Sequence, residues 1–286
     1  MALNVCWHCT GWFLNMPSNA VTKRMRPLLG TFVEIGIETL DDTQLMNIAF
    51  SHAFHAIEQV QQQMSFHSAA SDLTRLNAAP GMWHPMPANL VSVLHKAKQL
   101  AKDTDELFNC TVGGHLIAKG KLPNHFSHAP IPLGHADDIE IKHLDVRLKR
   151  PVIITLDGIA KGYAVDQGVN ALLQCGIEKG WINAGGDMRV FGDLHLPVAQ
   201  RSADGIQSLT TLHNQALATS EVSRANPYDY PGYIVKGNGE QPHDCTVSVM
   251  ADETWLADAM TKVLIQLPPE QRGQMAQQCN AHYIVP

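Results

Sequence analysis

Three short clusters hold residue types that bind anions or carry charge into a site. The first is Leu156-Asp157-Gly158-Ile159-Ala160-Lys161-Gly162-Tyr163-Ala164-Val165-Asp166, where two glycines bracket an apolar pair and a lysine. A helical pattern follows at once: Val165, Val169, Leu172 and Leu173 recur at helical spacing, and Gly176 sits where helices commonly end. A strand turning tightly into a helix would aim backbone amides and Lys161 at one spot, a natural place for an anionic group. On this stretch alone, a plain strand–turn–helix with a solvated Lys161 is equally open. The second cluster, Asn183-Ala184-Gly185-Gly186-Asp187, comes straight after that helix. Two glycine clusters flanking one helix favour a phosphate-type ligand near Ala160, Lys161, Gly185 and Gly186. The third cluster is Asp258, Thr261 and Lys262, which at i, i+3 and i+4 project from one helix face. As a surface pair, Asp258 and Lys262 would contribute only a few tenths of a kcal/mol. The flanking Leu256-Ala257 and Ala259-Met260 are small and apolar, so the helix packs closely and Asp258 needs a partner, a cation being the obvious one.

Other chemistries lack their signatures. There is no G-x-S-x-G elbow, no H-E-x-x-H and no G-x-x-x-x-G-K-[ST] loop. Gly113-Gly114 and Gly185-Gly186 are too sparse for a dinucleotide fingerprint. Cys6-x-x-Cys9 has no second half of a zinc site at usual spacing, and the irregular His125, His128 and His135 favour solvated loop histidines over a metal site.

The elements around these clusters follow from periodicity. Arg24 to Ile37 predicts strand, broken at Leu29-Gly30-Thr31. Asp41 and Asp42 offer N-caps to a helix whose stripe is Leu45, Ile48, Ala49, Ala56, Ile57 and Val60. Phe66 to Asn77 predicts a short helix in a loop, and Ala88 to Lys102 a helix facing inward through Leu90, Val93, Leu94, Ala97 and Leu100. Residues 119–136, rich in Pro, Gly and His, predict a long loop or a mobile flap. A hairpin-like pair, Ile139 to Ile141 and Asp145 to Leu148, precedes a strand from Val152 to Leu156. Met188 to Phe191, Leu196 to Ala199, Ala216 to Ser220 and Thr246 to Met250 also predict strands. A polar loop from Glu221 to Tyr233 and a turn at Lys236-Gly237-Asn238-Gly239 lie between the last two. Glu253 to Leu267 predicts a helix with Trp255, Ala259, Met260, Val263 and Leu264 inward. This mixed order favours α+β over a doubly wound sheet.

The 286 residues suffice for one large domain or two lobes sharing a core. With 45% apolar and 17% charged residues the composition is that of a packed globule. A formal charge of −6 offers no basic footprint for nucleic acid. No apolar run approaches the roughly 18–20 residues of a membrane span. Six cysteines, scattered apart from Cys6 and Cys9, make no compact disulfide framework. The first twenty residues carry no lysine or arginine, so a secretory signal is not expected and the expectation is a cytoplasmic protein.

The motifs resemble those of the ApbE family, the FAD:protein FMN transferases. Gly158 to Asp166 and Asn183 to Asp187 are the strongest matches, with Leu29-Gly30-Thr31 and Ser71-Asp72-Leu73-Thr74-Arg75-Leu76-Asn77 upstream in order. Phe108 to Gly113, Ala218-Thr219-Ser220 and Ala257-Asp258-Ala259-Met260 complete the series. The resemblance implies an α+β, two-lobed fold with mixed or antiparallel sheets packed by helices and a ligand cleft between lobes. It runs from about Arg26 to the C-terminus, which places one domain over 23–286 after an N-terminal extension of 1–22. It further implies FAD as substrate, Mg²⁺ on its pyrophosphate, and transfer of FMN to a threonine or serine hydroxyl of an acceptor flavoprotein. By that match, the Ala160 carbonyl and Asp258 would be metal ligands, with Thr261 beside them. Leu29, Gly30, Thr31, Ser71, Asp72, Lys161, Gly185, Gly186, Asp187 and Thr219 would line the flavin nucleotide. Asp258, Lys262 and Asp157 are the candidates for the reaction itself.

Four departures stand out. Lys262 occupies the position of the family's threonine four residues after the aspartate; a charged ammonium has no lone pair and cannot ligate Mg²⁺. Thr261 is rotated by about 100° from that position on a helix. Tyr233 to Gly239 lacks the histidine, aspartate, proline and threonine of the family's H-x-x-D-P-x-T-G, and Thr155 and Glu221 replace a family aspartate and glycine. Three readings follow. One is an active transferase with altered metal geometry and Asp157 as substitute carboxylate. Another is a homologue that binds FAD or another adenine nucleotide without transfer, with Lys262 in place of the metal. The last is an interaction scaffold that binds no nucleotide.

Overall fold

The computed structural model describes residues 21–202, 205–222, 234–235 and 242–285. Cys6 and Cys9, the segment 223–233 and the turn at 236–239 lie outside the described residues. Leu29 and Gly30 take left-handed backbone angles (φ 57° and 71°), so the first extended segment folds into a hairpin of β1 (Val21–Leu28) and β2 (Thr31–Glu38). Helix α1 (Thr43–Met64) begins where the Asp42 carboxylate accepts from the amides of Gln44 and Leu45, both at 2.9 Å. Its buried stripe runs through Met46, Ala49, Phe50, Ala53, Phe54, Ile57 and Val60. Phe50 and Phe54, one turn apart, take the inward face, which turns Ile48 outward to 41% exposure and corrects the stripe expected from the sequence.

Helix α2 (Asp72–Ala78), strand β3 (His84–Pro85) and helices α3 (Ala88–Asp103) and α4 (Gly113–Ala118) follow. Strand β5 (Asp145–Leu148) pairs with β3 on one side and β4 (Ile139–Lys142) on the other in a three-stranded antiparallel sheet. Between α4 and β4, residues 119–135 contain no helix or named strand, and a single 3-10 turn, Ala136–Asp138, leads into β4. Phe126 is buried against Phe66, while His125 and His128 bond the carbonyls of Phe66 and Asn77 at 3.0 and 2.9 Å. Those two histidines are therefore half-buried ties for the loop rather than solvated side chains.

Residues 152–156 do not make the strand that their β-branched run suggests. They form only isolated bridges, Val112 with Ile153 and Ile131 with Val152. The Asn77 side-chain amide instead takes the place of a neighbouring strand, bonding both Ile154 N–H and Ile154 C=O at 2.8 Å.

Helix α5 (Ala160–Gln174) leads to β6 (Gly180–Ala184) and β7 (Asp187–Phe191). Next come β8 (His195–Ser202), β9 (Gly205–His213), β10 (Ala216–Val222) and β11 (Cys245–Ala251). Helices α6 (Thr254–Leu264) and α7 (Pro269–Gln278) precede β12 (Ala281–Ile284). A seven-stranded antiparallel sheet runs β1-β2-β6-β7-β10-β11-β12, and β8 with β9 forms a separate hairpin. One sheet face packs under α1, α5 and α6 in the main core. On the other, Trp181, Met188, Val190 and Leu217 meet Leu196, Val198 and Leu212 of the β8–β9 hairpin. Alternate residues of β6 serve the two faces, Trp181 one and Ile182 the other. Trp255 is half-buried rather than core: the Lys96 ammonium sits 4.1 Å from its ring, and its Nε1 donates to Glu253 Oε2 at 2.7 Å. Among the described residues the cysteines are free, and no helix is long and apolar enough to cross a membrane.

Candidate functional site

The start of α5 meets the side of α6, and the meeting is very close. A Cβ on Gly162 would lie 2.4 Å from the Thr254 carbonyl oxygen and 2.8 Å from Asp258 Cβ, so only glycine permits the contact. Asp166, one turn further along α5, fixes the crossing. Its carboxylate accepts from Arg189 Nη1 at 2.7 Å and from Thr254 N, Thr254 Oγ1 and Trp255 N at 2.9 Å each. Asp166 therefore caps α6 from 88 residues away in sequence, satisfying amides that α6 leaves open and complementing its dipole. Burial pushes the Asp166 carboxyl above its ordinary value, against the pull of Arg189 and the two amides.

Asp258 is fully buried by this crossing. Its Oδ2 accepts the Gly162 N–H at 3.0 Å, so the anion at this helix start is a side chain of the protein itself. Its Oδ1 accepts from the Lys262 ammonium, which also donates to Ser220 Oγ at 3.0 Å. Ser220 Oγ in turn lies 2.7 Å from the Thr261 hydroxyl, and that hydroxyl donates to the Asp258 carbonyl at 2.7 Å.

A second ion pair stands beside the first. Lys161 Nζ lies 3.1 Å from Oδ2 of Asp187, which is 1% exposed. Burial, and next the neighbouring Asp258 charge, push the Asp187 carboxyl up to about 6, although Lys161 and Lys262 pull the other way. Two buried carboxylates and two lysines thus share one electrostatic site, with the lysine side chains 29% and 22% exposed.

Lys262 also lines a cleft of about 410 Å³ together with Thr155, Asp157, Gly158, Phe108 and Gln266. Asp157 Oδ2 accepts from Thr155 Oγ1 at 3.0 Å. Ile234 and Val235 line the cleft as well, while Tyr233 and residues 236–239 lie outside the described residues.

The remaining candidates occupy three other places. Leu29, Gly30 and Thr31 form the β1–β2 turn, where Leu29 N–H donates to Gln61 Oε1. Gly185 (φ 62°) brings the β6–β7 turn onto Thr31, whose Oγ1 is 2.6 Å from where a Gly185 Cβ would sit. Gly186 N–H donates to Asn183 Oδ1 at 2.9 Å, and Asp187 follows directly. Ser71 caps α2, its Oγ accepting the Thr74 N–H at 3.1 Å, and Asp72 pairs with Arg75 at 2.8 Å. Thr219 Oγ1 lies 2.8 Å from Ser248 Oγ across β10 and β11. The structure therefore gathers Lys161, Asp187, Asp258, Thr261 and Lys262 beside the first residue of α5, Ala160. Asp157 and Lys262 open onto the cleft. Sequence reasoning missed Ser220, Asp166 with Arg189, and Asn77 as positioning groups. Asp166, Ser220 and Asn77 all lie inside the motifs quoted above, but their partners are distant in sequence.

This donor set does not fit a resident divalent cation at Asp258. Both Asp258 oxygens are engaged, and the neighbouring Ser220 oxygen accepts from the same ammonium. The Thr261 hydroxyl is spent within its own helix and on Ser220. A second cation there would face Lys262 at short range in a partly dry site.

The ApbE family model matches residues 29–285. The chain belongs to the ApbE family. Among curated relatives, the FAD:protein FMN transferase of Klebsiella pneumoniae (strain 342) is 25% identical over 228 residues, covering 72% of this chain and 67% of that one. Solved ApbE structures share the fold. The apo flavinyl transferase ApbE of Pseudomonas stutzeri superposes with a TM-score of 0.76 at 20% identity, over 92% of this chain and 88% of that one. The flavin transferase ApbE of Vibrio cholerae gives 0.72 at 21% identity, covering 90% of each chain. The ApbE protein of Thermotoga maritima gives 0.73 at 22%, over 92% and 93%. The mixed helices and antiparallel sheets of this chain are thus the ApbE fold.

Proposed function

We propose that this protein is a flavin transferase that takes FAD as substrate and moves its FMN half onto a threonine or serine hydroxyl of an acceptor flavoprotein. Membership of the ApbE family and the curated FAD:protein FMN transferase among its relatives support this reading. The observation that carries it is the pairing of Lys161 with Asp187 and of Lys262 with Asp258 beside a cleft of suitable size.

In the proposed step the acceptor hydroxyl oxygen attacks the FMN-side phosphorus. The bond from that phosphorus to the bridging oxygen breaks, and AMP leaves with the electron pair. The hydroxyl proton passes to Asp157, which lines the cleft with Gly158 and Lys262, and then to water. Lys161 and Lys262 stabilise the charge that collects on the phosphoryl oxygens. Asp258 and Ser220 hold the Lys262 ammonium in place. No step is routed through a divalent ion, because the residues around Asp258 do not fit one.

The test is incubation of the protein with FAD and threonine-bearing acceptor proteins, reading covalent flavin on the acceptor and AMP in solution. One AMP per flavin attached is the expected result. FAD binding with neither product across acceptors would sink transfer. One observation favours the second reading, a homologue that holds FAD or another adenine nucleotide without turnover: the Lys262 ammonium sits between Asp258 and Ser220, where it neutralises one charge only.

A further inference from the structure

We propose that Lys262 is a built-in cation that makes the anion site of this protein independent of divalent metal. Three features point to it. The ammonium is held by two acceptors on different elements, Asp258 Oδ1 of α6 and Ser220 Oγ of β10. Ser220 is itself oriented by Thr261, so the receiving oxygens converge on a nitrogen, leaving no vacant oxygen shell. The remaining Asp258 oxygen is closed off by the Gly162 amide, in a crossing too tight for α5 to withdraw without unpacking.

The charge count sets the character of the site. Asp187 and Asp258 contribute two negative charges, and Lys161 and Lys262 two positive ones. The carboxylates are buried while the lysines reach partial exposure, so a ligand meets the cationic side of a balanced quartet. Such a site takes a pyrophosphate or phosphate diester through monovalent, salt-sensitive contacts, and it does so equally with or without Mg²⁺. That the anion belongs to a flavin nucleotide rests on the function proposed above; that no divalent ion binds at Asp258 does not.

Two measurements on the metal-stripped full chain separate these points. In the first, Mg²⁺ or Mn²⁺ alone is added and thermal unfolding is followed for the protein and for Lys262→Thr, which trades the ammonium for a hydroxyl oxygen. The unmodified protein should respond no more than its Asp258→Asn control, and Lys262→Thr should gain a stabilising shift. In the second, FAD is titrated by flavin fluorescence in EDTA and in Mg²⁺. The unmodified protein should bind with dissociation constants equal within about twofold, and Lys262→Thr should need Mg²⁺ by about tenfold or more. A metal-induced shift in the unmodified protein that Asp258→Asn removes would overturn the proposal, as would FAD binding that EDTA abolishes. A folded Lys262→Thr indifferent to metal would also overturn the assignment of Lys262. Should Lys262→Thr fail to fold, the two measurements on the unmodified protein still decide. FAD binding in neither buffer refutes the function proposed above and leaves the metal measurement to judge the cation.

Discussion

At Asp187 two opposing effects are resolved by burial. A carboxyl with 1% exposure and Asp258 nearby is held at about 6 despite two lysines. Its proton is therefore bound more tightly in the folded chain than in the unfolded one. Stability from this group is fully present below the ordinary carboxylate value near 4 and is lost as pH rises through about 6. The expected loss across that window is up to roughly 3 kcal/mol. Urea denaturation of the protein and of Asp187→Asn from pH 4 to 7 checks it: their difference should fall with rising pH, then level off. At this scale the sequence was informative about residue types and less so about their bonds. Asp258 was expected to need a cation because its neighbours are small and apolar, and Lys262 at i+4 is that cation. The role of Asp166 was not legible, since the amides it accepts belong to Thr254 and Trp255, and a 88-residue separation hides the contact from any local pattern.

Among the elements, the α5–α6 crossing governs the site. Gly162→Ala would put a methyl carbon 2.4 Å from the Thr254 carbonyl. The helices must part, at an expected 1–3 kcal/mol, read as a lower urea midpoint. FAD affinity should drop as well, because Asp258 loses its Gly162 amide. A second expectation concerns the irregular segment before Gly158. Asn77→Leu removes both side-chain bonds to Ile154 and leaves its buried N–H and C=O unsatisfied, a cost of about 2 kcal/mol. Hydrogen exchange should accelerate first in residues 152–158, where the cleft wall begins. The periodic helices and hairpins could be read from the chain because their signals are local: Asp42 caps α1, and Leu29-Gly30 breaks β1 from β2. The 152–156 segment misled for the same reason. Its apolar run has strand character, but the partner it pairs with is a side chain rather than a strand. Strands β6 and β12 and helix α7 carried no distinct signal, being short or, in α7, largely polar.

On the scale of the whole molecule, the seven-stranded sheet has helices packed on one face, while on the other the β8–β9 hairpin covers Trp181, Met188, Val190 and Leu217. The site sits where α5, α6 and β10 meet on the helical side, so ligand binding draws on the main core. FAD at about 100 times its dissociation constant should stabilise the protein by about 2.7 kcal/mol, visible as a rise in melting temperature. An anion without the flavin ring, such as AMP, should raise it less because it fills less of the cleft. The α+β class followed from the mixed order of elements. The covering of the second sheet face is not legible in the sequence, because β9 lacks a strand signal and leaves Leu196 to Ala199 without a visible hairpin partner.

The indole at the head of α6 has an optical consequence. Trp255 is fixed three ways: its backbone amide to Asp166, its Nε1 to Glu253, and its ring face against Lys96. Seven residues, about 10 Å of helix rise, separate it from Lys262. Indole emission overlaps the band in which oxidised flavins absorb. A flavin seated beside Lys262 would therefore drain the excited state of Trp255, and the unlabelled protein should dim as it loads. Trp255→Phe should lose part of that dimming while FAD still binds, the remainder coming from the other four tryptophans.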